Sequence, residues 1–403
     1  MLPTIHFYIL DSNKYMEEIM GNKKIVFFFC ILIFGITIAS LFKKPVTFSE
    51  KENRYLASKP TLSLDNVLNG SYMKEYETFI TDQFIFRDQW IGIKTKTERL
   101  MLKQDINNVF FAKDDYLIEN YSESLFTSSL ALDNISYLQR FSEKINNYSR
   151  PINLKTVIIP TASTILTDKL PLYATPYDQR LYLNAIKNAV SEDNWVDMYS
   201  TLLEKKHESI YYRTDHHWTM LGAYYGYCAW AKSIGITPLS FDDFTITTVD
   251  NNFYGTIAAK VSDTVPPDSM VSFAPKDSFT YKITDETGAT FETFFDDSAL
   301  NTRDKYTYYM RGNHPYIKVE TTPSSNVSKD FYNDRNLLVI KDSYAHCFVP
   351  FTSNHFNSVT MIDLRYYKSS IEALLEENNI TDILILYSTA NFAENKNVKF
   401  MLQ

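Results

Sequence analysis

Glycine is scarce in this chain, with 10 residues in 403. No GxGxxG or GxxxxGK[ST] run occurs, which excludes the backbone cradles that hold dinucleotide and triphosphate groups. Cysteine is scarcer still. Cys30, Cys228 and Cys347 are too few and too scattered for a disulfide framework, and no CxxC pair offers a metal its ligands. Cys228 and Cys347 could pair in an oxidising compartment, but two unpaired buried thiols are the expected state. A block of basic residues is also missing: 40 Lys and Arg stand against 48 Asp and Glu, for a net charge of −8. Nucleic acid, which demands a positive footprint, is excluded as a partner. What the chain does have is apolar matter, 45% of its residues, with 29 Tyr and 28 Phe. That fills a sizeable core, in one large domain or two ordinary ones, and excludes disorder.

A single long apolar run exists. Residues 25–42 carry no charge and are flanked by Lys23-Lys24 and Lys43-Lys44. At ~1.5 Å per residue they cover ~27 Å, enough to cross a hydrocarbon core. A cleaved signal peptide is the alternative, but no small-x-small site precedes Lys43, so a retained transmembrane anchor is expected. Residues 1–24 then form a short leader, with Met16 and Met20 as alternative starts. Lysines on both flanks leave the orientation open.

Residues 46–106 read as a membrane-proximal helical region, with helical spacing of Tyr72, Tyr76, Phe79, Ile80 and Phe84. Residues 107–403 read as the main domain. Val109–Phe111 and Tyr116–Ile118 predict a hairpin around Lys113-Asp114-Asp115. A helix over 129–147 leads to a strand at Thr156–Ile159, then a helix near 177–190 and a short strand at Trp195–Asp197. Ser209–Tyr212 reads as another strand. Toward the C-terminus, strands at Leu337–Ile340, Ser358–Ile362 and Ile383–Leu386 alternate with helices near 345–353 and 368–378. Such alternation predicts an α/β domain, three-layered, with a parallel sheet covered on both faces. The stretch 250–320 reads as an insertion of loops and small antiparallel strands.

Ligand sites in open parallel sheets lie at the carboxyl ends of strands. Ser343 sits there, where Leu337–Lys341 ends in a turn and a helix opens. A serine in that place exposes its hydroxyl, and its N–H points toward an incoming oxyanion; an ordinary helix cap is the bland alternative. The second constellation is Thr214-Asp215-His216-His217-Trp218-Thr219. An Asp two residues before a His can orient its imidazole, as a serine's general base requires. Helix capping by Asp215 or Thr219 competes with this reading. So does a metal on Asp215, His216 and His217, but adjacent histidines diverge and no HExxH is present, so no metal and no cofactor are expected.

Three runs now carry a resemblance: Asp215-His216-His217-Trp218, Lys341–Ala345, and Glu52-Asn53-Arg54 followed by Leu56 and Pro60. Asp82-Gln83-Phe84 through Arg87, Phe253-Tyr254-Gly255 and Ile362–Tyr366 extend it. The chain resembles the DHHW proteins, relatives of the alginate O-acetylation proteins with a permuted SGNH-hydrolase-like domain. The resemblance implies a Ser343 nucleophile, His217 as general base and Asp215 as its orienting carboxylate, with His216 in support. It further implies acetyl transfer or ester hydrolysis on an extracytoplasmic polysaccharide, beside a membrane-bound O-acyltransferase that supplies acetyl groups. The soluble domain would then face outward. Lys341 replaces the glycine of the usual Gly-Asp-Ser turn, and the oxyanion hole has no certain counterpart. Asn313 after Gly312, Asn391, Arg365 and Tyr387 are candidates for oxyanion or substrate contact, and Trp218 is the candidate platform for a sugar face. The competing class is a non-catalytic polysaccharide-binding or assembly scaffold.

Overall fold

The computed structural model describes residues 7–49, 54–262, 265–276, 279–325, 327 and 333–403. Glu52 and Asn53 of the run quoted above lie outside them. The chain divides into two units, Met1–Ile93 and Lys94–Gln403.

In the first unit, helix α1 (Phe7–Phe42) contains an 18-residue window, Lys23–Ser40, of mean hydropathy 2.0 with nothing packed over it. It is long and apolar enough to cross a membrane. The predicted helical spacing gives α2 (Ser71–Asp82), in which Asp82 alone is buried, and α3 (Arg87–Leu100) follows. The Asp82-Gln83 pair pins the chain after the apolar helix. Gln83 exchanges side-chain hydrogen bonds with Val46 N–H and C=O, and an Asp82 carboxylate oxygen accepts from Ala57 N–H.

The second unit contains strands β1 (Asn153–Ile159), β2 (Phe244–Phe253), β3 (Asp268–Pro275), β4 (Phe279–Asp285), β5 (Thr290–Phe291), β6 (Tyr316–Pro323), β7 (Asn333–Lys341), β8 (Phe356–Ile362) and β9 (Asp382–Ser388). Seven form one sheet in the order β5-β4-β6-β8-β7-β9-β1. The β8-β7-β9-β1 half is parallel, while β6 pairs antiparallel with both β8 and β4. The sheet is therefore mixed rather than parallel throughout. The stretch expected as a separate insertion supplies β5, all of β4 and part of β6 to it, and its β3 pairs with β2 apart from it. The reason is visible in β6, where Ile317, Val319 and Thr321 are buried and the residues between them face wetter surroundings, the alternation of an antiparallel strand.

Each central strand is buried on both faces. Leu337 and Val339 of β7 join one core with α6 (Met220–Ser233) and α7 (Ala345–Thr352). Leu338 and Ile340 join the other, with α4 (Ser129–Asn146), α5 (Arg180–Ala189) and α8 (Ile371–Glu377). Fully burying side chains of this kind contributes about 1.5–3 kcal/mol each. The hairpin at Val109–Phe111 and Leu117–Glu119 forms as predicted. Two predicted strands do not. Trp195 and Tyr211 each make one isolated bridge, to Thr156 and Trp218. All three cysteines are free; Cys347 is buried and Cys228 half-buried.

Parallel pairing sets the carboxyl ends of β7, β8 and β9 side by side. Ile340 is level with Ile362 and Ile385, so Asp342-Ser343, Asp363 and Ser388 emerge at one edge.

Candidate active site

The turn after β7 is held from below. Asp342 accepts from Tyr344 N–H through Oδ1 (2.9 Å) and through Oδ2 from Ser388 N–H and Asn391 Nδ2, both at 2.8 Å. The carboxylate thus ties the turn to β9 and to the start of α9 (Thr389–Glu394). Ser343 is part-exposed, and its N–H has no acceptor among the described residues.

The segment before α6 is fixed by side chains from distant strands. Asp268 of β3 accepts from Arg213 N–H, Thr214 N–H and the Thr214 hydroxyl. The Thr214 hydroxyl also accepts from Gly255 N–H at 3.1 Å. Thr219, not Asp215, caps α6, by accepting from Gly222 N–H. Asp215 is therefore free for another task. One of its oxygens accepts from His217 N–H (3.0 Å) and from His217 Nδ1 (2.5 Å); the other accepts from Thr256 N–H (2.8 Å) and its hydroxyl (3.1 Å). With Nδ1 donating, Nε2 carries the lone pair and stands 2.7 Å from Ser343 Oγ. Asp215, His217 and Ser343 form one unbroken line.

Electrostatics suit a base that is neutral and a carboxylate that is charged. Burial raises the Asp215 pKa, but the adjacent histidines and the hydrogen bonds from His217 and Thr256 override it, and the carboxyl ends below its usual range. Burial, with His216 alongside, lowers His217 from 6.5 to about 4 against the opposing pull of Asp215 and Asp342. In the role of base that the sequence suggests for it, His217 works unprotonated, so hydrolysis of an activated acetyl ester should fall to half its plateau near pH 4. With a base of that pKa, kcat/KM should stay flat from about pH 8 down to about pH 5. Half-maximal activity at the ordinary imidazole value of 6.5 would contradict this environment.

Side-chain atoms of Asp215, His216 and His217 lie within 4.8 Å of one another, as do those of Asp285, Glu286 and His314. In the first group both ring nitrogens of His217 are already engaged, and Asp215 accepts four hydrogen bonds, which leaves poor provision for an ion. In the second, one oxygen of Asp285 takes three donors of its own turn, and His314 Nδ1 already pairs with Glu286 at 2.8 Å.

The other sequence-predicted residues fall in different places. His216 lies against His217, ring centroids 3.9 Å apart, with Nδ1 on the Thr256 hydroxyl. Arg365 binds buried Asp363 through Nε and Nη2 and reaches the Asn313 side-chain oxygen at 3.1 Å. Together with Asp342 and Asn391, Arg365 lines a cleft of about 610 Å³. Tyr387 is fully buried and lines no part of that cleft. Trp218 also lies in the core, 0% exposed, which corrects its reading as a sugar platform. Its ring stacks on Phe348 and its N–H holds the Tyr344 carbonyl at 2.9 Å, so it buttresses the turn that carries Ser343.

Several contributors were missed by the sequence. Lys341, noted only as a departure from glycine, is buried with its ammonium 2.8 Å from His346 Nε2 and 3.4 Å from Asp363. It joins the ends of β7 and β8. Tyr344 donates its hydroxyl hydrogen to the His216 carbonyl. Thr256 follows the Phe253-Tyr254-Gly255 run, which was the available signal for it.

Residues 112–362 match the family described as DHHW protein. A solved DHHW family protein from Eubacterium siraeum is 24% identical and superposes with a TM-score of 0.58, over 74% of this chain and 96% of that one. Bacillus cereus PatB1, solved with a sulfonyl adduct, is 20% identical with a TM-score of 0.58, over 73% and 97%. The O-acetyltransferase domain of Pseudomonas putida AlgJ is more distant, at 13% identity and a TM-score of 0.44, over 72% and 93%. No curated protein matches the sequence. With more than half of its length matched and the fold shared, the chain belongs to the DHHW family.

Proposed function

We propose that this protein is a serine-dependent O-acetyltransferase or acetylesterase, acting through an acetyl-Ser343 intermediate on a cell-envelope or exported polysaccharide. The observation that carries the chemistry is the line from Asp215 through His217 to Ser343, at 2.5 and 2.7 Å. The acetyl group, the polysaccharide and the permuted SGNH-like description rest on the resemblance set out above. Anchoring by α1 with the larger unit outside the cytoplasm, and an acetyl supply from a membrane-bound O-acyltransferase, complete the reading.

In the first half-reaction His217 Nε2 takes the Ser343 proton as Oγ bonds to the acetyl carbon. The carbonyl oxygen becomes an oxyanion beside the Ser343 N–H. Collapse breaks the bond to the donor's leaving group, which recovers the proton from Nε2. A sugar hydroxyl then gives its proton to Nε2 and takes the acetyl group, and Oγ regains its hydrogen. Water in place of the sugar yields acetate. Arg365 and Asn391, with amide and guanidinium donors in the cleft beside Asp342, are the groups suited to hold a hydroxylated acceptor.

Intact-mass spectrometry of the full chain in detergent, after exposure to an activated acetyl ester, tests this reading beside Ser343→Ala. The expected result is one acetyl adduct, or ester turnover, that the variant lacks. A sulfonyl fluoride supplies a second probe of the same oxygen. Folded protein that forms neither adduct and turns over nothing would overturn the enzyme reading in favour of a glycan-binding or assembly role.

A further inference from the structure

Two hydrogen bonds hold the His217 ring at its ends, through Nδ1 and Nε2. They resist displacement out of the ring plane only weakly, and such tilting would carry Nε2 off its line to Ser343 Oγ. Something must close the two faces. His216 covers one, at 3.9 Å between centroids and 36° between planes. The other is covered by Tyr306, whose ring lies nearly parallel to the imidazole at 3.7 Å and 9°.

Tyr306 is 5% exposed and belongs to a single helical turn, Lys305–Tyr308, far from the site in sequence. Its hydroxyl donates to the Ser343 carbonyl oxygen at 3.3 Å and lies 3.4 Å from Cys347 Sγ. One side chain therefore touches both the base and the peptide that carries the nucleophile. The turn itself is braced. Lys305 binds Asp250 and the Asn252 carbonyl, and Tyr309 meets Tyr306 edge-on while its hydroxyl bonds Tyr212 and the Val271 carbonyl.

We propose that Tyr306 is a positioning residue of this site, whose ring keeps the His217 imidazole in plane and dry on that face. The proposal rests on the acyl-transfer reading of Ser343. When His217 is protonated in the transition state, the electron-rich face of the phenol also favours the cation, an attraction that grows where water is excluded. The ring supplies both effects, and the hydroxyl is secondary to them.

The test is steady-state hydrolysis of an activated acetyl ester by the full chain, comparing Tyr306→Leu and Tyr306→Phe with the unaltered protein. Leucine fills space but offers no flat face, so kcat should fall roughly tenfold to a hundredfold, as small misplacements of a catalytic group do. KM for the ester should stay within about twofold, since no residue in the cleft has changed. Phenylalanine keeps the face and should restore kcat to within about threefold. If melting curves show the leucine variant unfolded, Tyr306→Met makes the same comparison. Unchanged kcat in the leucine variant, a change confined to KM, or a phenylalanine variant as impaired as leucine each overturns the role of the ring. An unaltered protein that gives neither turnover nor a Ser343 adduct overturns the acyl-transfer reading and this proposal together, whereas an active one isolates Tyr306.

Discussion

Asp215→Asn is expected to cut turnover of an activated acetyl ester by roughly 10⁴-fold, the loss a serine triad suffers when its imidazole is held in the wrong tautomer. The carboxylate accepts from four donors, two on His217 and two on Thr256, and offers none of its own. An amide cannot do the same. Turned with its NH₂ toward His217, it donates to Nδ1, leaves the hydrogen on Nε2, strips the His217 N–H of its acceptor, and presents Ser343 with a donor where a base is needed. Turned the other way, its NH₂ confronts the Thr256 N–H, and a buried donor is left unpaired at a cost of about 1–3 kcal/mol. Either orientation preserves shape, so the variant should fold and melt within that margin of the unaltered chain. Measured kcat within tenfold of the unaltered protein, in a sample of matched melting behaviour, would mean that Asp215 does not set the tautomer.

How far the sequence foretold this arrangement depends on whether the signal was local. β7, β8 and β9 were legible because strands buried on both faces are written as unbroken apolar runs. The same rule misled at Ser209–Tyr212. Ile210, Tyr211 and Tyr212 are buried as the run implies, but the chain doubles back at once, with Tyr212 N–H on the His217 carbonyl, and only one bridge forms. Apolarity reported burial there and could not report shape. β4 and β6 were read as an insertion for the opposite reason. Their alternation of Thr, Tyr and Lys with apolar residues is weak, and membership of the central sheet depends on pairing with β8, whose residues lie some forty positions from those of β6.

The site divides in the same way. Asp215 and His217 lie two positions apart, so their bond could be foreseen from spacing. Ser343 is 126 residues from His217: its place at a strand end suggested a nucleophile that such a base could serve, and the resemblance then joined the two. Thr256 had only the Phe253-Tyr254-Gly255 run before it as a signal, and Tyr306 carries no mark in sequence that distinguishes it from the many other Tyr residues around it. Trp218 shows the limit of reasoning from residue type. An indole next to Asp215 and His217 suits a sugar face, but this one is spent on packing against Phe348 and on holding the Tyr344 carbonyl.

Gly255→Ala should disable the protein although its dihedral angles suit any residue, with φ at −82°. The reason is space. A Cβ at position 255 would stand 2.2 Å from Asp215 Cβ and 2.3 Å from Asp215 Oδ2. No heavy atoms sit so close, and neither neighbour is the loose end of a flexible chain. Asp215 is held by four hydrogen bonds, and Gly255 itself donates to the Thr214 hydroxyl. Relief therefore requires the carboxylate to move, and displacement by about 1 Å at a catalytic group costs on the order of 10²-fold in rate. Overpacking of this kind also lowers stability by about 1–3 kcal/mol. Gly288→Ala separates the two effects. There φ is +84° and no atom lies within 4 Å of the added carbon, so the change strains only the backbone. It should lower the melting temperature, by the equivalent of about 1 kcal/mol, and leave ester turnover intact. Full turnover in the Gly255 variant would show that Asp215 can shift without consequence, and the line from carboxylate to serine would no longer account for the chemistry.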